Sequence, residues 1–126
     1  MNTETSFCPF CRPDREIIFE SESAYAMFDK FPVTKGHMLI IPKVHVSDYF
    51  ELDVKTKNSL TELLDKSKIF LDETYSPDGY NTGINAGEAA GQTVWHVHVH
   101  LIPRYKGDTT NPGGGVRGVI PDKQHY

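Results

Sequence analysis

One stretch of the chain carries the most information about the fold: Gly91-Gln92-Thr93-Val94-Trp95-His96-Val97-His98-Val99-His100-Leu101-Ile102-Pro103. Apolar residues alternate with three histidines in its second half, and successive side chains of a β-strand point to opposite faces. We therefore predict a strand over residues 94–102, with the valines and Leu101 facing a core. His96, His98 and His100 then share the opposite face, each about 6.5–7 Å from the next.

Three histidines on one face of a strand admit three interpretations. They can be half-exposed surface residues of an amphipathic strand, although histidine is too infrequent for this to be a comfortable explanation. The two ends of a His-x-His pair can ligate one zinc ion. Neutral imidazole can also act as a nucleophile, an acid or a base near pH 7, which predicts catalysis.

The segments before this stretch predict further strands. Residues 16–20 and 24–28 are short apolar-rich runs on either side of three polar residues, which is typical of a hairpin. Residues 38–41 are apolar at every position between Gly36 and Pro42, so we expect a strand that is buried on both faces. A fourth strand is predicted over residues 80–85, before a loop that leads to the histidines.

Between these strands the hydrophobic period becomes that of a helix, over residues 53–75. The residues at helical spacing are Leu60, Leu63, Leu64, Ser67, Phe70, Leu71 and Tyr75. Asp53 can act as the N-cap, and the Ser-Pro-Asp-Gly sequence of residues 76–79 ends the helix. Strands, then a helix, then strands indicate an α+β fold with the long helix packed on one face of a sheet.

Length and composition describe one folded domain. The chain has 126 residues, and its seven Phe, six Tyr and one Trp are too many aromatic residues for a disordered chain. The core of the domain is predicted over about residues 8–108. Residues 109–126 form a C-terminal segment that starts with a glycine-rich connector.

Charge and hydropathy argue against two classes of partner. The formal net charge is −4 without a basic run, whereas proteins that bind nucleic acid usually present a basic face. No stretch approaches the roughly 18 apolar residues of a membrane span. Residues 1–5 are polar and lack the apolar core of a signal peptide. We expect a cytoplasmic protein that binds neither nucleic acid nor a membrane.

Two cysteines lie close together in Cys8-Pro9-Phe10-Cys11. In the cytoplasm they are thiols or metal ligands rather than a structural disulfide. They fit one tetrahedral zinc ion, which requires two further ligands. The alternative is a redox Cys-x-x-Cys motif, although that motif normally opens a helix after a strand.

Taken together, these motifs resemble the histidine triad (HIT) family of nucleotide hydrolases and transferases. The matching segments are the histidine stretch with its preceding Gly-Gln-Thr-Val, residues 35–45, residues 85–92 and the pair Phe28-Asp29. The resemblance covers about residues 8–108. It implies a HIT-like fold, an antiparallel sheet of about five strands with one long helix packed on it, and a homodimer in which two sheets join.

The resemblance also implies a mechanism. His98 attacks the α-phosphorus of a nucleotide and forms a nucleotidyl-histidine intermediate, which water hydrolyses to release a nucleoside monophosphate. His100 donates to the phosphate or the leaving group, and a backbone carbonyl fixes the tautomer of His98. Neutral donors for the phosphate are expected from Asn85, Gln92 and Thr93. Ordinary turn formation is the alternative for Asn85 and Thr93.

Contacts to the rest of a purine nucleotide are implied as well. Asp29 is expected to bind the ribose hydroxyls, with a turn cap as the alternative. Phe10 is expected to line the base pocket, with a place in the core as the alternative. We interpret His37 as structural.

Family members with a Cys-x-x-Cys motif near the N-terminus use histidines at the positions of His45 and His96. With Cys8 and Cys11, these two residues are expected to hold a structural zinc ion that ties the N-terminal segment to the sheet. His96, the first histidine of the triad, would then be fixed by the metal. The other two would remain free for chemistry.

The substrate stays open at this point. Residues 91–94 and 103–108 look like the branch of the family that hydrolyses diadenosine polyphosphates, while relatives acting on nucleoside phosphoramidates share parts of the pattern. A non-catalytic nucleotide- or zinc-binding module is a third interpretation. Residues 116–120 are expected to dock near an active site, with Arg117 on the distal phosphates or the leaving group. A disordered end is the alternative.

Overall fold

The secondary structure of this computed structural model is described for residues 8–126, so the polar residues 1–5 discussed above lie outside the described part. The main elements are β1 (Phe19–Glu20), β2 (Ala24–Phe28), β3 (Met38–Pro42), α1 (Val54–Tyr75), β4 (Gly79–Ile84) and β5 (Val99–Arg104). Short 3-10 turns occur at Tyr49–Glu51, Glu88–Ala90, Gly115–Val119 and Pro121–Lys123. Among residues 8–126, no helix is long and apolar enough to cross a membrane.

The five strands form one antiparallel sheet in the order β1-β2-β3-β5-β4. In the pairing of β3 with β5, Leu39 lies opposite His100. On its other side β5 pairs with β4, which places Gly83 opposite His100. The predicted α+β fold, with about five antiparallel strands and one long helix packed on them, is confirmed.

Both faces of the sheet are covered, because the central strands carry apolar side chains on both sides. The core toward α1 contains Ala24, Ala26, Met38, Ile40, Leu52, Leu60, Leu63, Leu71, Val97 and Leu101. A smaller cluster on the opposite face contains Cys8, Phe10, Tyr25, Met27, Leu39 and Ile41. β3 is buried at every position, as its continuous apolar run predicts. The segment around Cys8 is therefore part of the fold on the face opposite the helix.

Helix α1 begins and ends where the sequence predicts. Asp53 is the N-cap, and its side chain accepts a hydrogen bond of 2.8 Å from the backbone N–H of Thr56. Ser76 ends the helix in the left-handed conformation, with φ 48° and ψ 53°. The side chains that α1 buries against the sheet are Thr56, Leu60, Leu63, Ser67 and Leu71.

The histidine-bearing strand begins later than predicted, at Val99 instead of residue 94. β3 pairs with β5 only from Val99 to Leu101, and β4 ends opposite Val99. Residues 94–98 therefore have no neighbouring strand with which to form a ladder, and the prediction of one strand through all three histidines is wrong.

Other hydrogen bonds hold the segment that precedes β5. The N–H of Val97 donates to the carbonyl oxygen of Val46 at 2.8 Å. The His96 ring reaches the carbonyl oxygen of Pro42 at the end of β3, at 2.7 Å. The predicted alternation of faces nevertheless persists, because Val97 and Leu101 are both buried in the core toward α1.

The bounds of β1 and β4 also differ slightly from the prediction. β1 is limited to Phe19 and Glu20, the two residues that pair with β2, instead of residues 16–20. β4 covers residues 79–84 rather than 80–85, so Asn85 lies just beyond the strand. That position brings Asn85 to the end of the sheet where β5 begins.

Replacing Asp53 by alanine should lower the free energy of unfolding by about 1 kcal/mol, because the helix loses the acceptor for a free backbone N–H. Asp65→Ala is the matched control, since Asp65 is exposed in the middle of α1. It should leave the stability unchanged or slightly higher, because alanine has the better helix propensity. Urea unfolding measures both variants. Equal losses would show that the cap does not stabilise the helix.

Candidate active site and metal cluster

A cavity of about 410 Å³ opens on the face of the sheet opposite α1, and its size is typical of a small-molecule site. Its lining residues are Pro9, Phe10, Asp14, Arg15, Asp29, Lys30, Phe31, Leu39, Asn85, Gly91, Thr93, Val94, His98 and His100. Six of the residues singled out in the sequence meet here: Phe10, Asp29, Asn85, Thr93, His98 and His100. The cavity is therefore the candidate active site.

His98 lines the cavity with one ring nitrogen hydrogen-bonded to the backbone and the other unprotonated. Its Nδ1–H donates a hydrogen bond to the carbonyl oxygen of His96 at 2.8 Å, so the lone pair of the neutral ring is on Nε2. Burial lowers the pKa of His98, against the weaker opposing effect of the His96 carbonyl. At pH 7 the ring is neutral, which is the form that acts as a nucleophile.

A chain of hydrogen bonds fixes the position of the proton on His100. The backbone N–H of Val33 donates to Nδ1 of His37 at 3.0 Å, so neutral His37 carries its proton on Nε2. That Nε2–H donates to Nδ1 of His100 at 3.0 Å, which leaves the His100 proton on Nε2. His100 is therefore an N–H donor at the cavity, with its ring centroid 5.1 Å from that of His98.

Burial keeps this histidine chain neutral. Burial, with the neighbouring His98 and His37 rings, lowers the pKa of His100 to about 4, although Asp29 opposes the shift. Burial also lowers the pKa of His37, against the effect of the same carboxylate. The site therefore holds donors and acceptors in fixed tautomers instead of imidazolium cations.

Asp29, His37 and His100 lie close enough together to hold a metal ion, since their ligand atoms are within 4.8 Å of one another. The hydrogen bond from Val33 argues against this use. It keeps Nδ1 of His37 unprotonated, so the proton occupies Nε2, the atom that faces the other two groups. A protonated ring nitrogen has no lone pair for a metal. The group is a hydrogen-bonded chain.

Asp29 occupies a turn and the cavity wall at the same time. Its Oδ1 accepts a hydrogen bond from the N–H of Phe31 at 2.8 Å, which is a turn-capping contact. Its Oδ2 lies 3.4 Å from Nε2 of His37, and the carboxylate lines the cavity. Asn85 and Thr93 line the cavity from the two ends of the loop between β4 and the histidines.

Gln92 lies outside the cavity and holds that loop. Its Nε2 donates to the carbonyl oxygens of Ser47 at 2.7 Å and Val94 at 3.1 Å, and its Oε1 accepts from the N–H of Gly87 at 2.9 Å. Both amide protons are thus donated to the backbone, and the side chain is buried. In this geometry Gln92 positions the loop and has no free donor for a phosphate.

Phe10 combines the two roles considered for it. It is buried in the cluster opposite α1, and its ring also lines the cavity. The ring packs edge-on against His98, with 4.9 Å between the centroids. Phe10 therefore forms a wall of the cavity directly beside the His98 imidazole.

Arg117 lies apart from the other predicted site residues. Its guanidinium donates to the carbonyl oxygens of Lys123 at 2.9 Å and Gln124 at 3.2 Å, and it stacks over the ring of Tyr126. Its neighbours Val116 and Val119 instead line a second cavity of about 470 Å³, which also has His100 and Asn85 in its wall. The C-terminal segment thus lies beside the site through its valines.

The four predicted metal ligands meet in one cluster. The ligand atoms of Cys8, Cys11, His45 and His96 all lie within 4.8 Å of one another. Nδ1 of His96 is 3.3 Å from Sγ of Cys8 and 3.5 Å from Sγ of Cys11, and Nδ1 of His45 is 3.1 Å from Sγ of Cys11. Ligand atoms of a tetrahedral zinc site with these donors are roughly 3.3–3.8 Å apart. The residues fit a zinc ion.

His96 is oriented for this cluster. Its Nε2–H donates to the carbonyl oxygen of Pro42 at 2.7 Å, so Nδ1 is unprotonated and faces the sulfur atoms. Metal-ligating histidines typically donate their other ring N–H to a carbonyl in this way. Burial lowers the pKa of His96, which keeps the ring in the neutral form that a metal requires. His96 therefore belongs to the metal cluster.

Comparison with known proteins agrees with this geometry. A family model described as the HIT domain matches residues 12–107. The chain belongs to the HIT family. Among curated HIT relatives, the bis(5'-adenosyl)-triphosphatase of Dictyostelium discoideum is 39% identical over 112 residues, which cover 86% of this chain and 73% of that protein. The Protein hit of Bacillus subtilis is 38% identical over 108 residues, 80% of this chain and 74% of that protein.

Solved HIT structures share the fold. A Zn-bound histidine triad family protein from Mycobacterium smegmatis superposes with a TM-score of 0.75 and 33% identity, covering 86% of this chain and 82% of that one. The resemblance to the histidine triad family stated from the sequence motifs is thus confirmed. The family contains nucleotide hydrolases such as the triphosphatase above, and one member with this fold binds zinc.

His37 is the residue whose contact with the site the sequence analysis missed. It follows Gly36, whose φ of 93° turns the chain into β3. Alternation places His37 on the same face as Leu39, but only the pairing of Leu39 with His100 brings the two imidazoles together. The sequence shows that a histidine precedes the strand, but it does not identify the residue to which this histidine bonds.

The stability of the folded protein should depend on pH through His100. The unfolded chain protonates this residue below about pH 6.5, whereas the folded protein does so only near pH 4. The free energy of unfolding therefore falls on acidification between these values, by at most about 1.4 kcal/mol per pH unit for this group. His100→Gln should show a shallower fall over that range in urea unfolding, and a parallel curve above about pH 7. Identical slopes at acid pH would contradict the assignment.

Proposed function

We propose that this HIT protein is a nucleotide hydrolase that cleaves a dinucleoside polyphosphate or a related nucleotide at its α-phosphate and releases a nucleoside monophosphate. One observation carries the proposal: Nε2 of His98 is unprotonated, Nε2 of His100 is protonated, and both side chains line the same cavity. A nucleophile and a donor for developing negative charge are the two groups that this transfer requires. The family membership and the triphosphatase relatives support it.

In the first step, the lone pair of His98 Nε2 forms a bond to the α-phosphorus as the bond to the bridging oxygen breaks. The His98 ring then bears a positive charge, which the His96 carbonyl stabilises through the Nδ1–H hydrogen bond. The leaving polyphosphate departs with its electron pair as an anion. His100 stabilises it by donating the Nε2–H hydrogen bond and keeps its proton.

In the second step, a water molecule attacks the same phosphorus and displaces His98. The water loses one proton to solvent, and the nucleoside monophosphate leaves the cavity. His98 returns to its neutral form with the proton on Nδ1, so the site is ready for another cycle.

The pKa of His100, about 4, favours an anionic leaving group over an amine. A polyphosphate leaves as an anion and needs only a hydrogen bond, whereas the amine of a phosphoramidate must take up a proton. Neutral His100 has no extra proton for such a transfer. Phosphoramidate hydrolysis is accordingly the second candidate, with the lower expected rate.

The remaining cavity residues are proposed to bind the rest of the nucleotide. Phe10 packs against the purine base, and Asp29 accepts hydrogen bonds from the ribose hydroxyls. Asn85 and Thr93 donate to the α-phosphate. Gln92 acts on the substrate only by holding the loop that carries these donors.

The C-terminal segment is proposed to contact the leaving group. Val116 and Val119 line the second cavity, which shares His100 and Asn85 with the first. The leaving group departs on this side, so an apolar part such as a second base would reach these valines. Arg117 could contact distal phosphates only after leaving the carbonyls of Lys123 and Gln124.

A zinc ion bound by Cys8, Cys11, His45 and His96 is the second part of the proposal. Four protein ligands leave no open position for a substrate, so the metal would supply structural support and no reaction step. Two-fold dimers and a cytoplasmic location stay predictions from the sequence.

His98→Ala should abolish the release of nucleoside monophosphate from diadenosine tetraphosphate, because it removes the nucleophile and leaves the fold intact. His98→Gly should regain activity when imidazole is added. His125→Ala, at a histidine of the C-terminal segment that lies outside the cavity, is the matched control and should retain full activity. A His98→Ala protein with more than about a tenth of the wild-type kcat would exclude His98 as the nucleophile. For the wild-type protein, comparing kcat/KM for diadenosine tetraphosphate with kcat/KM for adenosine phosphoramidate identifies the preferred leaving group.

Elemental analysis of protein purified without a metal-binding tag should give about one zinc per chain. The double substitution of Cys8 and Cys11 by serine should lose the metal and destabilise the protein by about a few kcal/mol, because metal binding is coupled to folding. The His125→Ala protein should keep its zinc. Stoichiometric zinc in the double mutant would rule out these ligands.

A further inference from the structure

The four residues 8–11 belong to two sites at once. Cys8 and Cys11 place their sulfur atoms in the metal cluster, whereas Pro9 and Phe10 between them line the nucleotide cavity. The segment forms neither a helix nor a strand, and a hydrogen bond of 3.3 Å from the N–H of Arg12 to the Cys8 carbonyl closes it as a turn. Its conformation therefore depends on the contacts that its side chains make.

Phe10 is the part of this turn that reaches the chemistry. Its ring packs edge-on against His98 at 4.9 Å and against His96 at 6.0 Å between centroids. Its carbonyl oxygen accepts a hydrogen bond from the hydroxyl of Tyr25 on β2. With 7% of its surface exposed, Phe10 is buried between the metal cluster, the sheet and the nucleophile.

His96 is a second connection between the two sites, in addition to the turn of residues 8–11. Its Nδ1 faces the sulfur atoms, while its carbonyl oxygen accepts the hydrogen bond from Nδ1–H of His98. The residue that completes the metal cluster is thus also the residue that orients the nucleophile. Two contacts of the His98 ring, with Phe10 and with the His96 carbonyl, are therefore made by residues of the cluster or of its turn.

We propose that the metal cluster and the nucleotide cavity bind their ligands cooperatively, with Phe10 as the residue that couples them. This inference rests on the proposed binding of a purine nucleotide in the cavity. A metal held by Cys8 and Cys11 fixes the turn and presents Phe10 to the base. A bound nucleotide packs on Phe10 and so favours the turn conformation in which both cysteines face the metal.

Thermodynamic linkage makes this coupling reciprocal. If zinc raises the affinity for the nucleotide by some factor, the nucleotide must raise the affinity for zinc by the same factor. A metal site that served only as a distant support would show no such factor in a protein that stays folded without zinc. The zinc affinity in the presence and absence of nucleotide therefore tests the proposal without measuring turnover.

The experiment measures the zinc affinity of the whole chain by competition with a chromophoric chelator, with and without saturating adenosine 5'-monophosphate. We expect the nucleotide to raise the zinc affinity by roughly fivefold or more. Free nucleotide that binds zinc would also lower the chelator signal and imitate tighter binding by the protein. A titration of chelator, zinc and nucleotide without protein measures this contribution, which is subtracted. Calorimetric titration of the nucleotide into zinc-loaded protein gives the nucleotide concentration that saturates the cavity.

Two phenylalanine variants separate local coupling from general stabilisation of the fold. Phe10→Ala should retain zinc but lose the effect of the nucleotide to within about twofold. Phe31→Ala is the matched control, because Phe31 also lines the cavity but lies outside the cysteine turn, and it should keep the effect. Each variant is compared at its own saturating concentration of nucleotide, so a change in nucleotide affinity alone does not affect the comparison.

Three results would overturn the proposal. An unchanged zinc affinity in wild-type protein that binds the nucleotide would refute the coupling and leave the proposed hydrolase intact. A full effect in Phe10→Ala would show that the linkage runs through folding of the whole chain. Failure of zinc-loaded wild-type protein to bind the nucleotide at all would refute the proposed function and the coupling together.

Discussion

The pairing of β3 with β5 is the constraint on which the site depends. It sets Leu39 opposite His100, which brings His37, two residues earlier on the same face, within hydrogen-bonding distance of the His100 ring. The pairing also stops at Val99, so the preceding residues are free to leave the sheet. They carry His96 into the metal cluster and His98 to the wall of the cavity.

Neutral, oriented imidazole is the chemical result of this arrangement. Three backbone groups define the protons: the N–H of Val33, the carbonyl of His96 and the carbonyl of Pro42. Burial lowers the pKa of each ring involved, so the tautomers persist at pH 7. Backbone groups cannot titrate, and they therefore hold the direction of each proton more rigidly than charged side chains would.

The two sites are adjacent because the chain uses the same short segments for both. A turn of four residues supplies two sulfur atoms and a wall of the cavity, and His96 supplies a ring nitrogen to one site and a carbonyl oxygen to the other. The candidate metal ligands and the candidate active site are therefore not separate in this fold. These shared residues are the basis of the proposed coupling between metal and nucleotide binding.

The sequence by itself determined the α+β class, the helix with its Asp53 cap, the buried strand at residues 38–41 and the residue types of both sites. The first three follow from hydrophobic periodicity and capping chemistry, which depend on neighbours in the chain. The residue types of the two sites were implied by the resemblance of the motifs to the HIT family. Only the tertiary structure decided where β5 begins and that His37 bonds to His100. It also decided that the Gln92 carboxamide is hydrogen-bonded to backbone groups and that Arg117 lies apart from the cavity. Each of these features depends on residues that are distant in sequence. Strand register and loop packing decide which residues meet, and local sequence patterns do not encode either of them.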